Sequence, residues 1–224
     1  MTAAEIIDEL KEFGSEENRK GMARFGINAE KALGIKIPVL RAYAKELKKQ
    51  HQLALQLWET GIHEARLLAI FIADPKQTTE AQMEGWLRDF NSWDICDQAC
   101  MNLFDRTPIA YQKALEWARR EPEFEKRAGF ALMASLALHD KKAPNQGLLP
   151  FLTEIEQQAH DPRNFVKKAV NWALRQIGKR NLGLNAAAIE TARRIALQNS
   201  KAARWIAADA LRELQNEKQL ARLK

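Results

Sequence analysis

The chain has 224 residues, and 35 Lys and Arg against 29 Asp and Glu give it a formal net charge of +6. Hydrophobic residues make up 46% and charged residues 29% of the sequence, which is ordinary for a folded domain and excludes a disordered tail. No apolar run approaches the length of a membrane span, and the segment from Met1 to Leu10 carries acids where a secretion signal has basic residues. Two cysteines, Cys96 and Cys100, cannot build a disulfide framework. We therefore expect a folded, cytoplasmic protein that does not bind membranes.

Helices are predicted along the whole chain, because Ala, Leu, Lys, Glu, Arg and Gln dominate the sequence and apolar residues recur at helical spacing. Only 10 Gly and 7 Pro interrupt this pattern, and no segment has the alternation of a strand. In chain order, the start signals are Pro38 before Val39–Lys49, Ser92 before Trp93–Phe104, Pro108 before Ile109–Arg119, and Asp161-Pro162 before a helix that ends at Gly178. Residues 141–147 are predicted to form a polar loop. Together the signals predict about a dozen short helices.

A charge pattern recurs on every second helix in the middle of the chain, where a charged residue is followed by small and apolar residues. Arg66, Arg127, Lys168 and Arg204 hold the basic position, at successive separations of 61, 41 and 36 residues. Such separations fit one or two helix pairs of about 30 to 45 residues each, as in HEAT-type repeats. A globular bundle of alanine-rich helices would also place small residues beside basic ones. We expect the repeat architecture, an all-α solenoid that forms a single domain over residues 1–224 and whose antiparallel helix pairs line a concave basic groove.

An acid interrupts this basic series. Asp97 lies 31 residues after Arg66 and 30 before Arg127, at a step of the repeat where its neighbours are basic. Trp93 precedes it by one helical turn and shares its face, and Trp172 stands four residues after a lysine of the series. The groove is therefore expected to hold cations, two indoles and one carboxylate.

Each of these features also has a plainer interpretation. Tryptophans at helical spacing are usually buried core residues. An acid such as Asp97 could serve the helix dipole or pair with a nearby arginine, although Asp94 lies closer to the predicted helix start and suits the dipole better. A net charge of +6 could serve solubility alone, whereas a basic groove would suit a polyanion such as nucleic acid.

Other site chemistries find no support in the sequence. It lacks a glycine-rich phosphate loop, a His-Glu-x-x-His arrangement and a Gly-x-Ser-x-Gly elbow, which argues against nucleotide hydrolysis, zinc proteolysis and serine hydrolysis. Cys96 and Cys100 have a spacing that a metal could use, but the four histidines offer no matching pair, so both cysteines are predicted to be core residues. No metal and no cofactor are expected.

Three short segments are the most distinctive of the chain: Ser-Trp-Asp-Ile-Cys-Asp at residues 92–97, Lys-Arg-Ala at 126–128 and Ala-Val-Asn-Trp-Ala-Leu-Arg at 169–175. Together with residues 25–27 and 34–41, they resemble the AlkD family of DNA alkylation repair glycosylases. The resemblance extends from Met22 to Arg180, and the Trp-Asp-x-Cys-Asp string is its most specific part.

The resemblance implies an alkylpurine DNA glycosylase, a hydrolase built of HEAT-like repeats that removes positively charged N3- and N7-alkylated purines from duplex DNA and has no base-flipping pocket. By motif, Asp97 matches the catalytic carboxylate and Arg127 the active-site arginine. Trp93 and Trp172 match the aromatic residues that flank the deoxyribose of the lesion. Lys126 stands where relatives often have a second arginine. We expect a monomer that acts on the nucleoid in a bacterial-type cytoplasm.

The cations predicted to contact DNA phosphates are Arg66, Lys126, Lys167, Lys168, Arg175 and Arg204. The expected partner is duplex DNA that contains alkylated purines. Two other functions remain open, namely a non-catalytic HEAT-repeat module that binds duplex DNA and a protein-interaction scaffold. A pure DNA binder has no use for an acid among phosphate-binding cations, so Asp97 favours the enzyme.

Overall fold

The computed structural model describes residues 1–223, and within them the regular secondary structure is helical, with no strand. The helices of the first half are α1 (Ala3–Glu12), α2 (Glu16–Arg24), α3 (Ile37–Leu47), α4 (His51–Glu59), α5 (His63–Ile72), α6 (Glu80–Arg88) and α7 (Trp93–Asn102), and a 3₁₀ turn follows at Phe104–Arg106. Those of the second half are α8 (Ala110–Ala118), α9 (Glu123–His139), α10 (Asn145–Gln158), α11 (Asn164–Gly178), α12 (Leu182–Ala196), α13 (Lys201–Leu214) and α14 (Glu217–Leu220). None of these helices is long and apolar enough to span a membrane. The prediction of an all-α fold is confirmed.

The chain divides into two compact units, unit 1 over residues 1–107 and unit 2 from Pro108 onward. The central helix of unit 1 is α5, which packs against α3, α4 and α7 and is buried along most of its length. Trp58 of α4 and Trp86 of α6 stack with their ring centroids 4.0 Å apart. The single domain expected over residues 1–224 stays a prediction.

Unit 2 is built of helix pairs in two layers. Successive helices pack as pairs, α8 with α9, α10 with α11 and α12 with α13. Across the pairs, α10 contacts α8 and α12, whereas α11 contacts α9 and α13. The even-numbered helices of this unit therefore form one layer and the odd-numbered helices the other, as expected for stacked helical repeats.

The charge pattern of the sequence falls on alternate helices, as predicted. Arg66 lies on α5, Asp97 on α7, Arg127 on α9, Lys168 on α11 and Arg204 on α13. The repeat step read from the sequence therefore corresponds to one helix pair.

Most of the predicted helix boundaries lie close to the observed ones. The helices α3, α7, α8 and α11 begin within two residues of their predicted start signals. The predicted loop at residues 141–147 is wrong in its second half, because α10 begins at Asn145. Pro144 takes the N-cap position there with extended backbone angles, φ −67° and ψ 154°, and the helix continues through Pro150. The helix α7 ends at Asn102, short of the predicted Phe104.

The pairing of α8 with α9 depends on a glycine. A Cβ atom at Gly129 would lie 2.2 Å from the backbone nitrogen of Ala118 and 2.6 Å from its Cα atom. Only glycine lets the two helix backbones approach so closely. This contact fixes the position of α9, and with it that of Lys126 and Arg127.

Candidate functional site

Trp93 and Asp97 lie one turn apart on α7, so their side chains share one face of the helix. Both are partly exposed, whereas Cys96 and Cys100 on the same helix are buried and form no disulfide, as predicted. The indole Nε1–H of Trp93 donates a hydrogen bond of 3.0 Å to the backbone oxygen of Phe25, which restrains the orientation of the ring. Unit 1 therefore presents a carboxylate and an oriented indole on one helix face.

The first turn of α7 is tied to α5 by a buried histidine. Nε2 of His63 lies 2.8 Å from Oδ2 of Asp94, and the Ser92 hydroxyl donates to Oδ1 of Asp94 over 2.7 Å. Because its hydroxyl is engaged there, Ser92 occupies the N-cap position without a side-chain bond to the helix backbone. Burial raises the pKa of the Asp94 carboxyl, but the bonds from His63 and Ser92 lower it by more, so the pKa lies below its ordinary value. Asp94 is therefore charged at neutral pH, in the first-turn position that the sequence favours for it.

A fully buried acid, Glu64, fastens the segment before α3 to α5. Glu64 accepts hydrogen bonds from the backbone N–H groups of residues 33, 34 and 35, at 2.7, 2.7 and 3.2 Å. Gly34 in this segment has a φ of +80°, and a Cβ atom there would come within 2.1 Å of the Ser15 carbonyl oxygen. Glu64, two residues before Arg66 on α5, therefore has a structural role.

Unit 1 also contains an open cavity of about 580 Å³. Its lining comes from α2, from residues 34–37, and from α5 and α7, and it includes His63, Asp94 and Phe25. The cations on the lining are Lys20, Arg24 and Lys36. Phe25 joins this cavity to the α7 face, since its carbonyl oxygen holds Trp93. The absence of a base-flipping pocket stays a prediction.

The basic pair of α9 is buried, with only 5% of each residue exposed. The ammonium of Lys126 lies 3.2 Å from Oε1 of Gln158 and 3.5 Å from Oδ2 of Asp161. The guanidinium of Arg127 donates to the backbone oxygen of Phe165 over 2.6 Å. Both side chains therefore hold α9 against residues that lead into α11 or lie on its first turn. Their burial weighs against a direct phosphate contact by either residue.

The helices α11 and α13 carry an exposed surface of cations and aromatic rings. Trp172 of α11 is partly exposed, and Lys168 one turn earlier is exposed. Nζ of Lys167 lies 4.7 Å from the ring centroid of Trp205 on α13. Arg204, the residue before Trp205, is exposed as well.

The six cations predicted to bind DNA fall into two groups. The first group forms ion pairs with acids of the same unit: Arg66 with Asp89, Lys126 with Asp161, and Arg175 with Glu213. The second group forms no ion pair with any acid of residues 1–223 and consists of Lys167, Lys168 and Arg204. The side chains of the second group are the ones most available to a phosphate.

The four residues predicted for catalysis divide between the two units. Trp93 and Asp97 share a face of α7 in unit 1. Arg127 and Trp172 belong to unit 2 and lie on α9 and α11, which pack against each other. The assembly of all four side chains around one nucleotide stays a prediction.

Comparison with known protein families decides where the chain belongs. The model of a family described as DNA alkylation repair enzyme matches residues 6–214. The chain belongs to the DNA alkylation repair enzyme family. The matched range includes every residue predicted above for catalysis or DNA contact.

A solved structure has the same fold as this member of the DNA alkylation repair enzyme family. It is described as a new family of proteins related to the HEAT-like repeat DNA glycosylases, with affinity for branched DNA structures. The two chains align with a TM-score of 0.79 and 22% sequence identity, over 95% of each chain. The likeness confirms the HEAT-like repeat fold. No curated protein matches the sequence.

Sequence reasoning misses three features of this family member, two hydrogen-bonded pairs and the exposure of Trp205. The 31-residue step of the repeat separates His63 from Asp94 and Trp58 from Asp89, and a hydrogen bond joins each pair. The repeat spacing could therefore have predicted both of these contacts. Trp205 had no such signal, because its exposure depends on how α11 and α13 pack.

Proposed function

We propose that this chain is a DNA glycosylase that hydrolyses the N-glycosidic bond of positively charged N3- and N7-alkylated purines in duplex DNA. The observation that carries the proposal is the pair of Asp97 and Trp93 on one partly exposed face of α7. Membership in the DNA alkylation repair enzyme family supports the substrate class. The protein acts as a monomer on chromosomal DNA in the cytoplasm.

The chemistry needs only one acid. An alkylated purine already carries a positive charge, so it leaves as a neutral base without protonation when the electron pair of the C1′–N bond moves onto it. The Asp97 carboxylate stabilises the oxocarbenium character of the sugar and orients a water molecule toward C1′. The water oxygen bonds to C1′, and its proton passes through Asp97 to solvent.

Aromatic rings also stabilise the positive charge of the sugar and the base. Trp93 and Trp172 pack against the deoxyribose and the cationic base, and a cation–π contact of this kind contributes about 0.5 to 2 kcal/mol. The hydrogen bond from Trp93 to Phe25 keeps its indole oriented before DNA arrives. Arg127 is as buried as Lys126 and contributes by holding α9 against the first turn of α11, through its bond to the carbonyl of Phe165.

Phosphates elsewhere on the duplex are held by the cations that have no acid partner. Lys167, Lys168 and Arg204 supply these contacts, which fix the register of the duplex without reading its sequence. Arg66, Lys126 and Arg175 are engaged with acids and act through the packing of their helices.

The test is base release from methylated duplex DNA, with the freed 7-methylguanine identified by chromatography. Asp97→Asn removes the charge and is expected to raise the barrier by about 2.7 to 4 kcal/mol, while duplex affinity is kept. Asp8→Asn makes the same chemical change at an exposed position on α1 and should leave release unchanged. Equal release by the wild type and Asp97→Asn would rule out the mechanism.

A second candidate is a non-catalytic HEAT-repeat module that binds duplex DNA. The solved structure with the same fold favours it, because that protein is described by its affinity for branched DNA. This function predicts salt-dependent DNA binding and no base release from any methylated duplex by the wild type.

A further inference from the structure

Trp205 is the most exposed of the six tryptophans. It exposes 41% of its surface, whereas Trp58 and Trp117 are completely buried and Trp86 is nearly so. An indole in solvent loses the free energy that burial of its large apolar area provides. Its exposure on α13, a well-packed helix, marks it as a candidate contact for a ligand with a flat apolar face.

The surroundings of Trp205 are cationic. Lys167 of α11 places Nζ 4.7 Å from the ring centroid, so one face of the ring meets a positive charge. Lys201 lies one turn before Trp205 on α13, and Arg204 lies next to it. Both side chains are exposed, and neither forms an ion pair with an acid in the part of the chain described.

The nearest acid on α13 does not offset this positive charge. Asp209 lies one turn after Trp205, but its carboxylate accepts a 2.6 Å hydrogen bond from Asn171 and forms an ion pair with Arg212. Arg175 stands 3.7 Å from the same carboxylate. The other acid of α13, Glu213, is paired with Arg175, and α11 carries no acid, so an anion that approaches Trp205 meets no unpaired carboxylate on these two helices.

We propose that Trp205 is a stacking platform for an unpaired DNA base at the end or branch of a duplex, with Lys167, Lys168, Lys201 and Arg204 holding the adjoining phosphates. Inside a duplex each base is stacked on both faces, whereas an unpaired nucleotide leaves a face free for an indole. Stacking of bases on aromatic rings beside a cationic groove is how proteins hold single-stranded DNA. The proposal rests on the proposed DNA binding and adds a preference for a DNA structure.

The test compares two labelled probes by fluorescence anisotropy with the full chain: a blunt duplex, and the same duplex with a short single-stranded overhang. Trp205→Ala is expected to weaken binding of the overhang probe by about tenfold, and binding of the blunt duplex by less than about twofold. Trp205→Phe keeps an aromatic face and should restore most of the lost affinity. Leu197→Ala is the matched control, because Leu197 of the same unit is 86% exposed and apolar, and it should change neither probe.

A direct readout places 2-aminopurine at the first unpaired position of the overhang. Its fluorescence should be quenched when the wild type binds, because the base stacks on the indole, and Trp205→Ala should abolish the quenching. Circular dichroism verifies that each variant keeps its helices. Equal losses on both probes, or unchanged quenching in Trp205→Ala, would overturn the stacking role while leaving base release by the wild type intact. A wild type that binds neither probe overturns both this role and the proposed function.

Discussion

Asp94 shows how one partly buried residue can set the geometry of the candidate site. It receives hydrogen bonds from His63 of α5 and from Ser92, so the first turn of α7 cannot rotate without breaking a charged interaction. Trp93 and Asp97 extend from the turns that this contact holds. A carboxylate that must act next to C1′ gains from a scaffold that is already in place before DNA binds.

Replacing Asp94 should therefore cost stability. Asp94→Asn removes the charge from a buried hydrogen-bonded pair, and we expect the free energy of unfolding at neutral pH to fall by about 1 to 3 kcal/mol. Urea denaturation measures the change, and Asp8→Asn provides a control at an exposed acid. A loss no larger than that of the control would show that the pair does not hold α7.

The hydrogen-bonded pair of Asp94 and His63 also predicts how the stability of the protein changes with pH. The pKa of Asp94 is lower in the folded chain than in the unfolded chain, where it is about 3.9. The unfolded state therefore takes up the proton first as the pH falls. The stabilisation is complete above the unfolded pKa and is lost as the pH falls through the lower folded pKa. The stability difference between wild type and Asp94→Asn should shrink below about pH 4, and a difference that grows on acidification would contradict this assignment.

At the scale of helices, the tightest constraint is the contact of α8 with α9. Gly129 has no room for a side chain, since the carbonyl oxygen of Ala114 would lie 2.8 Å from an added Cβ and the backbone nitrogen of Ala118 still closer. The helix α9 is buried along most of its length, so it cannot shift outward into solvent.

Gly129→Ala should therefore destabilise the protein despite the higher helix propensity of alanine. We expect a loss of about 1 to 3 kcal/mol, typical of overpacking in a core. Gly85→Ala on α6 is the matched control, because nothing lies within 4 Å of its added Cβ. That control should gain about 0.5 to 1 kcal/mol. Thermal unfolding of both variants tests the pair, and equal stability would show that α8 and α9 can separate without cost.

Helices and their alternation could be predicted from the sequence because their signals are local or periodic. Start signals such as Pro38 act on neighbouring residues, and the basic series repeats with the helix pairs. The start of α10 was missed, since Pro144 fits an N-cap conformation as well as a loop. Trp93 and Asp97 could be placed together by their four-residue spacing, whereas the burial of Lys126 depends on contacts with Gln158 and Asp161, which no local pattern encodes.

At the scale of the whole molecule, the net charge of +6 matters less than the partners of each cation. The charge of a cation paired with a nearby acid is largely compensated. Contact of such a cation with a phosphate therefore releases few of the counterions that surround the DNA. An unpaired cation replaces counterions that are condensed on the DNA, and their release makes affinity depend on salt. Counting basic residues in the sequence therefore overestimates the phosphate contacts that the protein can make.

This distinction predicts which substitutions change the salt dependence of duplex binding. Arg204→Gln removes an exposed cation without an acid partner, and the negative slope of log affinity against log salt should become shallower by about 0.9 for every duplex sequence. Arg193→Gln is the matched control, because Arg193 is exposed in the same unit but lies 3.6 Å from Glu190. It should leave the slope unchanged. Titrations of a labelled duplex at several potassium chloride concentrations give both slopes. If both variants made the slope equally shallower, net charge rather than the pairing of individual cations would govern DNA binding. Lys167 and Lys168 would then be no better phosphate ligands than the cations that are paired with acids.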